Sequence, residues 1–137
     1  MIPIVDHFAF RVADLEASIQ FYGDIIGLEL LSKTVDEVHH EAFAFFKLDG
    51  GNLELLQLLD ESNNPIPYQK PPINQPYCPH LAIKADDLGQ LVIDLQNKNV
   101  SIVKGPMEIP AVVKWFYVAD PDHNIIEYVQ WINQSEV

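Results

Sequence analysis

One short stretch occurs twice in this chain, first as His7-Phe8-Ala9-Phe10-Arg11-Val12-Ala13-Asp14-Leu15 and again as His80-Leu81-Ala82-Ile83-Lys84-Ala85-Asp86-Asp87-Leu88. The offset of 73 positions that aligns the two versions also carries Glu54 onto Glu127 and Gln57 onto Gln130, with no gap between the two ends. Chance explains any single match, but it poorly explains histidines, aspartates and glutamates that coincide in one register. The sequence therefore predicts a duplicated unit.

Both copies show the same order of predicted elements. An apolar segment with alternation indicates a strand, and an aspartate suited to cap a helix then precedes an apolar stripe at helical spacing. Three more strand-like segments complete each copy, so we predict an α+β protein of two tandem βαβββ modules. The predicted strands of the first copy are Ile4–Val12, Leu28–Val35, Glu41–Leu48 and Asn52–Leu59, around a helix from Leu15 to Ile26 that Gly27 ends. Those of the second copy are His80–Ala85, Val100–Lys104, Val112–Val118 and Asn124–Trp131, around a helix from Leu88 to Leu95.

The distribution of proline predicts a linker between the modules. The 137 residues amount to one domain, and six of the ten prolines fall within residues 60–79. Because proline fixes φ and has no N–H to donate, this segment is predicted to be extended. We place module 1 at about residues 1–59 and module 2 at about residues 80–132 of a single domain covering 1–137.

The charge of the chain excludes several classes of partner. It has 20 acidic and 8 basic residues, a formal net charge of −12. Such a surface repels phosphate backbones and anionic lipid, so we expect neither a nucleic-acid nor a membrane partner. The sequence shows no signal peptide and no apolar run near the roughly 20 residues of a membrane span. A single cysteine, Cys78, favours a reducing, cytoplasmic location, and we interpret its side chain as a small buried filler.

Four residues of the repeat are candidate metal ligands. Side chains alternate along a strand, so His7 and Arg11 share one face of the first strand. Glu54 and Glu127 are charges in otherwise apolar strands, where a carboxylate without a partner is costly. A divalent ion shared by both carboxylates, His7 and His80 explains these positions, and Zn²⁺, Ni²⁺, Co²⁺, Mn²⁺ or Fe²⁺ accepts such ligands. A purely structural cluster of histidine and glutamate is the alternative.

The remaining histidines and aromatic residues have simpler interpretations. His39 and His40 lie in a polar run and are expected in an exposed loop, with a substrate contact as the alternative. His123 belongs to a turn of sequence Asp120-Pro121-Asp122-His123-Asn124 that precedes the last strand. Most aromatic side chains are expected in the core, with some available to wall a pocket; those considered are Phe43, Phe45, Phe46, Trp115, Phe116, Tyr117 and Trp131.

The repeat, with Asn52-Leu53-Glu54-Leu55-Leu56 and the Asp120–Glu127 segment, resembles the vicinal oxygen chelate superfamily. This superfamily includes glyoxalase I, methylmalonyl-CoA epimerase, extradiol dioxygenases and the bleomycin- and fosfomycin-resistance proteins. The resemblance spans nearly the whole chain and implies mixed sheets that curl around a metal cavity, often in a homodimer. Glyoxalase I and the epimerase resemble the four-ligand pattern of His7, Glu54, His80 and Glu127, whereas dioxygenases and fosfomycin enzymes typically show two histidines and one glutamate.

The resemblance implies a metal-dependent lyase or isomerase similar to glyoxalase I. Its substrate is expected to be a small carbonyl or hydroxy-carbonyl compound, free or conjugated to glutathione, that reacts through a metal-stabilised enediolate. Glu127 is expected to shuttle the proton, with Glu54 as the second candidate base, and Arg11 and Lys84 to anchor a substrate carboxylate. Leu58 departs from the pattern, because glyoxalase I has a glutathione-binding asparagine at that position.

Three other functions stay open at this point. One is an extradiol-type Fe(II) dioxygenase, and another is an enzyme similar to the epimerase. The phosphates of coenzyme A suit this acidic chain poorly, which counts against the epimerase. The third is a non-catalytic resistance protein that binds a small molecule without turnover.

Overall fold

The computed structural model describes residues 1–132 and contains two compact units, divided between Pro72 and Ile73. The first unit contains β1 (His7–Arg11), α1 (Leu15–Gln20), a π-helical turn (Phe21–Ile25), β2 (Leu30–Asp36), β3 (Glu41–Phe46) and β4 (Asn52–Leu58). The second unit contains β5 (His80–Lys84), α2 (Leu88–Asn97), β6 (Ile102–Ile109), β7 (Val113–Ala119) and β8 (Ile125–Trp131).

Each unit is built on a four-stranded mixed sheet. The strand orders are β1-β4-β3-β2 and β5-β8-β7-β6, so the first strand of each unit lies beside its last. These two strands run parallel, and the other pairs are antiparallel. The register places Ala9 opposite Glu54 and Ala82 opposite Glu127, so the sequence repeat is reproduced pair by pair. The predicted α+β class with two βαβββ modules is confirmed.

The two faces of β1 divide as the alternation of the sequence predicts. Phe10 in β1 and Val12 directly after it expose 4% and 1% of their surface, whereas His7 and Arg11 are exposed on the other face. Burial of such apolar side chains contributes about 1.5–3 kcal/mol each. The largest fully buried apolar side chains are Val12, Tyr22, Phe46, Leu53 and Leu55 in the first unit, and Leu88, Leu95, Phe116, Val118 and Ile126 in the second.

The helix boundaries follow local sequence signals. Asp14 and Asp87 each accept a hydrogen bond from the backbone N–H three residues further on, which satisfies a donor of the first turn. The first helix does not continue as an α-helix to Ile26, because it widens after Gln20 into a π-helical turn. Gly27 then ends it with a φ of +87°, a conformation that glycine adopts without strain.

A glutamine in the last strand of each unit also holds the start of its helix. The backbone N–H of Leu15 donates to Gln57 Oε1 at 3.0 Å, and that of Leu88 donates to Gln130 Oε1 at 2.9 Å. The two bonds occupy equivalent positions in the repeat. They join helix to sheet in a way that the sequence match of the glutamines alone does not reveal.

Replacing Gln57 with leucine is expected to lower the free energy of unfolding by about 1–3 kcal/mol. The change keeps the volume of this buried side chain but leaves the N–H of Leu15 without its acceptor. Urea denaturation followed by circular dichroism measures the effect. The control is Gln20→Leu, at an exposed position of the same unit, which should change stability by less than about 0.5 kcal/mol. Equal stabilities of the two variants would contradict a stabilising role for the hydrogen bond from the Leu15 N–H to Gln57.

Two sequence interpretations need correction. Strand β6 does not end at Lys104 but continues to Ile109, because it is an edge strand in which a bulge accommodates Pro106. Cys78 is exposed rather than a buried filler. It lies between prolines in the extended segment before β5, outside the layers that form the core.

Residues 60–79 contain no helix and no strand, only an isolated bridge between Leu59 and Pro65 at the beginning. Their extended form agrees with the six prolines. Within residues 1–132, no helix combines the length and the apolar character required to cross a bilayer.

Candidate functional site

His7 and Glu54 meet on the exposed side of the first sheet. His7 Nε2 lies 3.5 Å from Glu54 Oε1, while His7 Nδ1 lies 2.6 Å from Asp6 Oδ2. The hydrogen bond with Asp6 raises the pKa of His7, and the charge of Glu54 adds to this effect. The ring of Phe45 stands edge-on to the imidazole at 5.4 Å between centroids, so one side of the pair is apolar.

His80 and Glu127 form the equivalent pair in the second unit. His80 Nε2 lies 2.8 Å from Glu127 Oε1, and Nδ1 lies 2.7 Å from the backbone carbonyl oxygen of Tyr77. The Glu127 side chain is only 16% exposed, close to the 15% of Glu54. Each unit therefore contains one histidine–glutamate pair with a largely buried carboxylate.

The hydrogen bonds at Nδ1 determine what each imidazole offers at Nε2. An acceptor at Nδ1, Asp6 for His7 and the Tyr77 carbonyl for His80, holds the proton of the neutral ring on that nitrogen. The lone pair at Nε2 then faces a carboxylate oxygen. Two facing acceptors require a proton or a cation between them, and an acceptor behind Nδ1 is the usual support of a metal-ligating histidine. The donor chemistry of each pair thus fits a divalent metal ion.

The structure brings the four predicted ligands together as two pairs. Within residues 1–132 there is no group of three or more histidine, cysteine, aspartate or glutamate side chains placed to hold a metal ion. The sharing of one ion by all four residues stays a prediction.

The two pairs differ in the aromatic residue beside the glutamate. Phe45 is the cross-strand neighbour of Glu54, whereas Tyr117 is the neighbour of Glu127. Burial raises the pKa of the Tyr117 hydroxyl, the charge of Glu127 raises it further, and the Trp115 side chain hydrogen-bonds the hydroxyl. The phenol therefore stays protonated at neutral pH and is available as a donor. The sequence predicts Tyr117 among aromatic residues of the core or of a pocket wall, but it does not predict the position beside Glu127.

Arg11 and Lys84 lie on the strand faces that the sequence predicts. The surroundings of the two side chains differ from each other. The Arg11 guanidinium sits 4.3 Å from the centre of the Tyr68 ring, a cation–π contact with the proline-rich segment. Lys84 is exposed at the end of β5 and lines a cavity of about 300 Å³ with Gln130 and Trp131. Their roles as substrate anchors remain predictions.

The other histidines occupy turns, as expected. His39 Nδ1 lies 2.9 Å from Asp36 Oδ2, and His40 Nδ1 lies 2.7 Å from Asn63 Oδ1. His123 has a φ of 65°, which fits its position in the turn before β8. The two side-chain contacts hold His39 and His40 in their turns, and His123 has the backbone conformation that its turn requires.

Comparisons with known proteins show what the chain as a whole is similar to. A family model described as Glyoxalase/Bleomycin resistance protein/Dioxygenase superfamily matches residues 4–128. The chain is 33% identical over 128 residues to the metallothiol transferase FosB of Staphylococcus epidermidis, covering 92% of this chain and 80% of that protein. It is 28% identical over 132 residues to the lactoylglutathione lyase of Haemophilus influenzae, covering 90% of each. The fold matches the trypanothione-dependent glyoxalase I of Leishmania major with a TM-score of 0.68 and 25% identity, over 90% of this chain and 84% of that one.

Proposed function

Because this chain belongs to the Glyoxalase/Bleomycin resistance protein/Dioxygenase superfamily, we propose that it is a metal-dependent lyase or isomerase of the glyoxalase I type. Its substrate is a small carbonyl or hydroxy-carbonyl compound, free or conjugated to glutathione. The observation that supports this proposal is the duplicated pair, in which a carboxylate faces the Nε2 of an imidazole supported at Nδ1. His7, Glu54, His80 and Glu127 together would hold one ion of Zn²⁺, Ni²⁺, Co²⁺, Mn²⁺ or Fe²⁺.

The residues of the second pair have distinct tasks in this proposal. When bound, the ion supplies Lewis acidity that lowers the pKa of a C–H next to two substrate oxygens. Glu127 takes that proton and returns it to the neighbouring carbon, as a general base and then a general acid. His80 would hold the ion through Nε2 beside Glu127, and the carbonyl of Tyr77 keeps the imidazole in place. The protonated hydroxyl of Tyr117 offers a hydrogen bond beside the carboxylate.

The remaining parts of the proposal concern binding and assembly. Arg11 and Lys84, both on the same strand faces as the histidines, would anchor a substrate carboxylate. The chain would act as a single domain in a cytoplasmic homodimer with a small molecule as its partner. The net charge of −12 supports a substrate with little negative charge over a polyphosphate such as coenzyme A.

A thiol transferase is the second candidate, since the relative at 33% identity is a metallothiol transferase. The presence of both glutamates favours the lyase, because the fosfomycin enzymes typically show two histidines and one glutamate. Loss of free thiol with fosfomycin would favour the transferase, and oxygen uptake with catechols after anaerobic iron loading would favour a dioxygenase. Tight binding of a ligand without turnover would favour a resistance protein.

Metal content tests the proposal directly. We expect close to one divalent ion per chain after loading and dialysis, and a large loss of bound metal in His7→Ala and in His80→Ala. His39→Ala is the control, because His39 lies in an exposed turn outside both pairs. Isomerisation of the methylglyoxal–glutathione hemithioacetal is then measured on the loaded protein. Full occupancy without activity would overturn the reaction and keep the metal site, whereas failure to bind any of the five ions would overturn both.

A further inference from the structure

A cavity of about 260 Å³ lies beside His80, within the second unit. Aromatic and apolar side chains form most of its wall, and one lysine also lines it. The residues relevant here are Tyr77, Lys104, Met107, Trp115 and Tyr117. The volume lies just below the roughly 300 Å³ at which the usual range of small-molecule pockets begins, and such pockets are mostly apolar with few polar groups.

The aromatic rings form a connected group that leads to His80. The Tyr77 and Tyr117 rings lie 5.0 Å apart between centroids, and Tyr117 stands edge-on to the His80 imidazole at 5.7 Å. Trp115, two residues before Tyr117 on the same strand, lines the same cavity. Ring clusters of this kind bind another planar ring through offset or edge-to-face contacts. The wall therefore suits a planar, apolar group whose far end reaches toward His80.

An irregularity of β6 brings the lysine into the same cavity. In a regular strand Lys104 and Met107 would point to opposite faces, because side chains alternate. The pairing of β6 with β7 shifts register on both sides of Lys104, and both side chains line the cavity. Gly105 permits this bend, since its φ is +102° and a Cβ there would lie 3.0 Å from the Trp115 carbonyl oxygen. The bulge thus places Lys104 at a cavity wall that is otherwise mostly aromatic and apolar.

We infer that this cavity binds an aromatic ring that carries an anionic substituent, with the ring among Tyr77, Trp115 and Tyr117 and the anion toward Lys104. The inference deepens the proposed function and rests on it only in assigning the reacting end of the substrate to His80. In a chain with 8 basic and 20 acidic residues, a lysine at an apolar wall is the feature that selects an anion. Ring binding itself requires no metal, so it can be tested apart from the reaction.

The test uses metal-free full-length protein and three probes: phenylacetate, its neutral analogue phenylacetamide, and acetate, which has no ring. Tryptophan fluorescence is titrated with each compound. We expect saturable quenching by phenylacetate, about two- to fivefold weaker binding of phenylacetamide, and no saturable signal with acetate. Trp115→Phe removes the quenching and leaves the emission of Trp131. A second readout is the reaction of the exposed Cys78 thiol with a disulfide reagent, which phenylacetate should slow because Cys78 also lines the cavity.

Charge variants test the role of the lysine. Lys104→Gln should weaken phenylacetate binding about two- to fivefold and leave phenylacetamide unchanged. Lys114→Gln is the matched control, since Lys114 lies on β7 next to Trp115 but on the opposite face of the strand, and it should affect neither probe. Circular dichroism confirms that each variant is folded.

The possible outcomes separate this inference from the proposed function. Equal effects of phenylacetate and acetate, no protection of Cys78, or a Lys104→Gln variant with unchanged affinity would each overturn the inference. Phenylacetate binding that persists in a protein without isomerase activity would support the ligand class and overturn only the reaction. An active isomerase that does not bind phenylacetate would support the reaction and overturn the inferred ligand class.

Discussion

Glu127→Gln is expected to lower hemithioacetal isomerase activity by about 10²- to 10⁴-fold, the contribution typical of a positioned acid–base group. The amide keeps the size of the side chain and one oxygen, but it cannot accept a proton from carbon. Since the Glu127 carboxylate lies 2.8 Å from His80, the substitution also changes what the imidazole faces. Kinetic constants should therefore be measured at equal metal content, and we expect the loss mainly in kcat.

Two further variants make the experiment specific. Glu54→Gln removes the equivalent carboxylate of the first pair, and we expect a smaller loss of kcat because an apolar phenylalanine, not Tyr117, is its neighbour. Glu108→Gln changes the same charge at an exposed position of β6 and should leave activity within about twofold. A larger loss for Glu54→Gln than for Glu127→Gln would assign the proton shuttle to the first pair and contradict the roles proposed above.

The largest effect on stability is expected for Phe46→Ala, about 3–5 kcal/mol in the free energy of unfolding. Phe46 is fully buried at the end of β3, and its ring centroid lies 6.1 Å from that of Tyr22 in the same core. Truncation removes apolar contacts and leaves a cavity that the surrounding sheet and helix fill only in part. Urea denaturation gives the midpoint of unfolding and the slope of the unfolding free energy against urea concentration. If the slope is unchanged, the loss of stability arises in the native core.

Phe43→Ala is the matched control on the same strand. Phe43 lies only three residues away, but it is half-buried on the other face, where Phe45 is its aromatic neighbour. We expect a loss of about 1 kcal/mol or less. Similar losses at both positions would mean that the two faces of the first sheet contribute equally to the free energy of unfolding. This result would contradict the argument from burial.

The fold was largely predictable because its signals are local or repeated. Asp14, Asp87 and Gly27 mark helix boundaries through their own chemistry, and the alternation along β1 identifies its buried face. The continuation of β6 past Lys104 was not predictable in this way. Glycine and proline at 105 and 106 weaken a strand pattern, and only the position of β6 at the sheet edge makes them tolerable.

The sequence identified the four residues of the candidate site and showed which histidine and glutamate belong to the same module. His7 and Glu54 follow from the repeat, as do His80 and Glu127, because parallel pairing of the first and last strands brings equivalent positions together. Tyr117 was missed because its place beside Glu127 depends on an antiparallel register that no single residue encodes. A comparison of the cross-strand neighbours of the two glutamates would have revealed the difference between phenylalanine and tyrosine.

From the parallel pairing of first and last strands we expect an order of events in folding. Strands β2, β3 and β4 are consecutive and joined by short turns, so their ladders close from nearby parts of the chain. Among the strands of residues 1–132, β1 pairs only with β4, and this contact closes a much longer loop at a greater cost in entropy. The same holds for β5 and β8. We therefore expect each carboxylate to be in place before its imidazole arrives, so that each histidine–glutamate pair forms only when its unit completes its sheet.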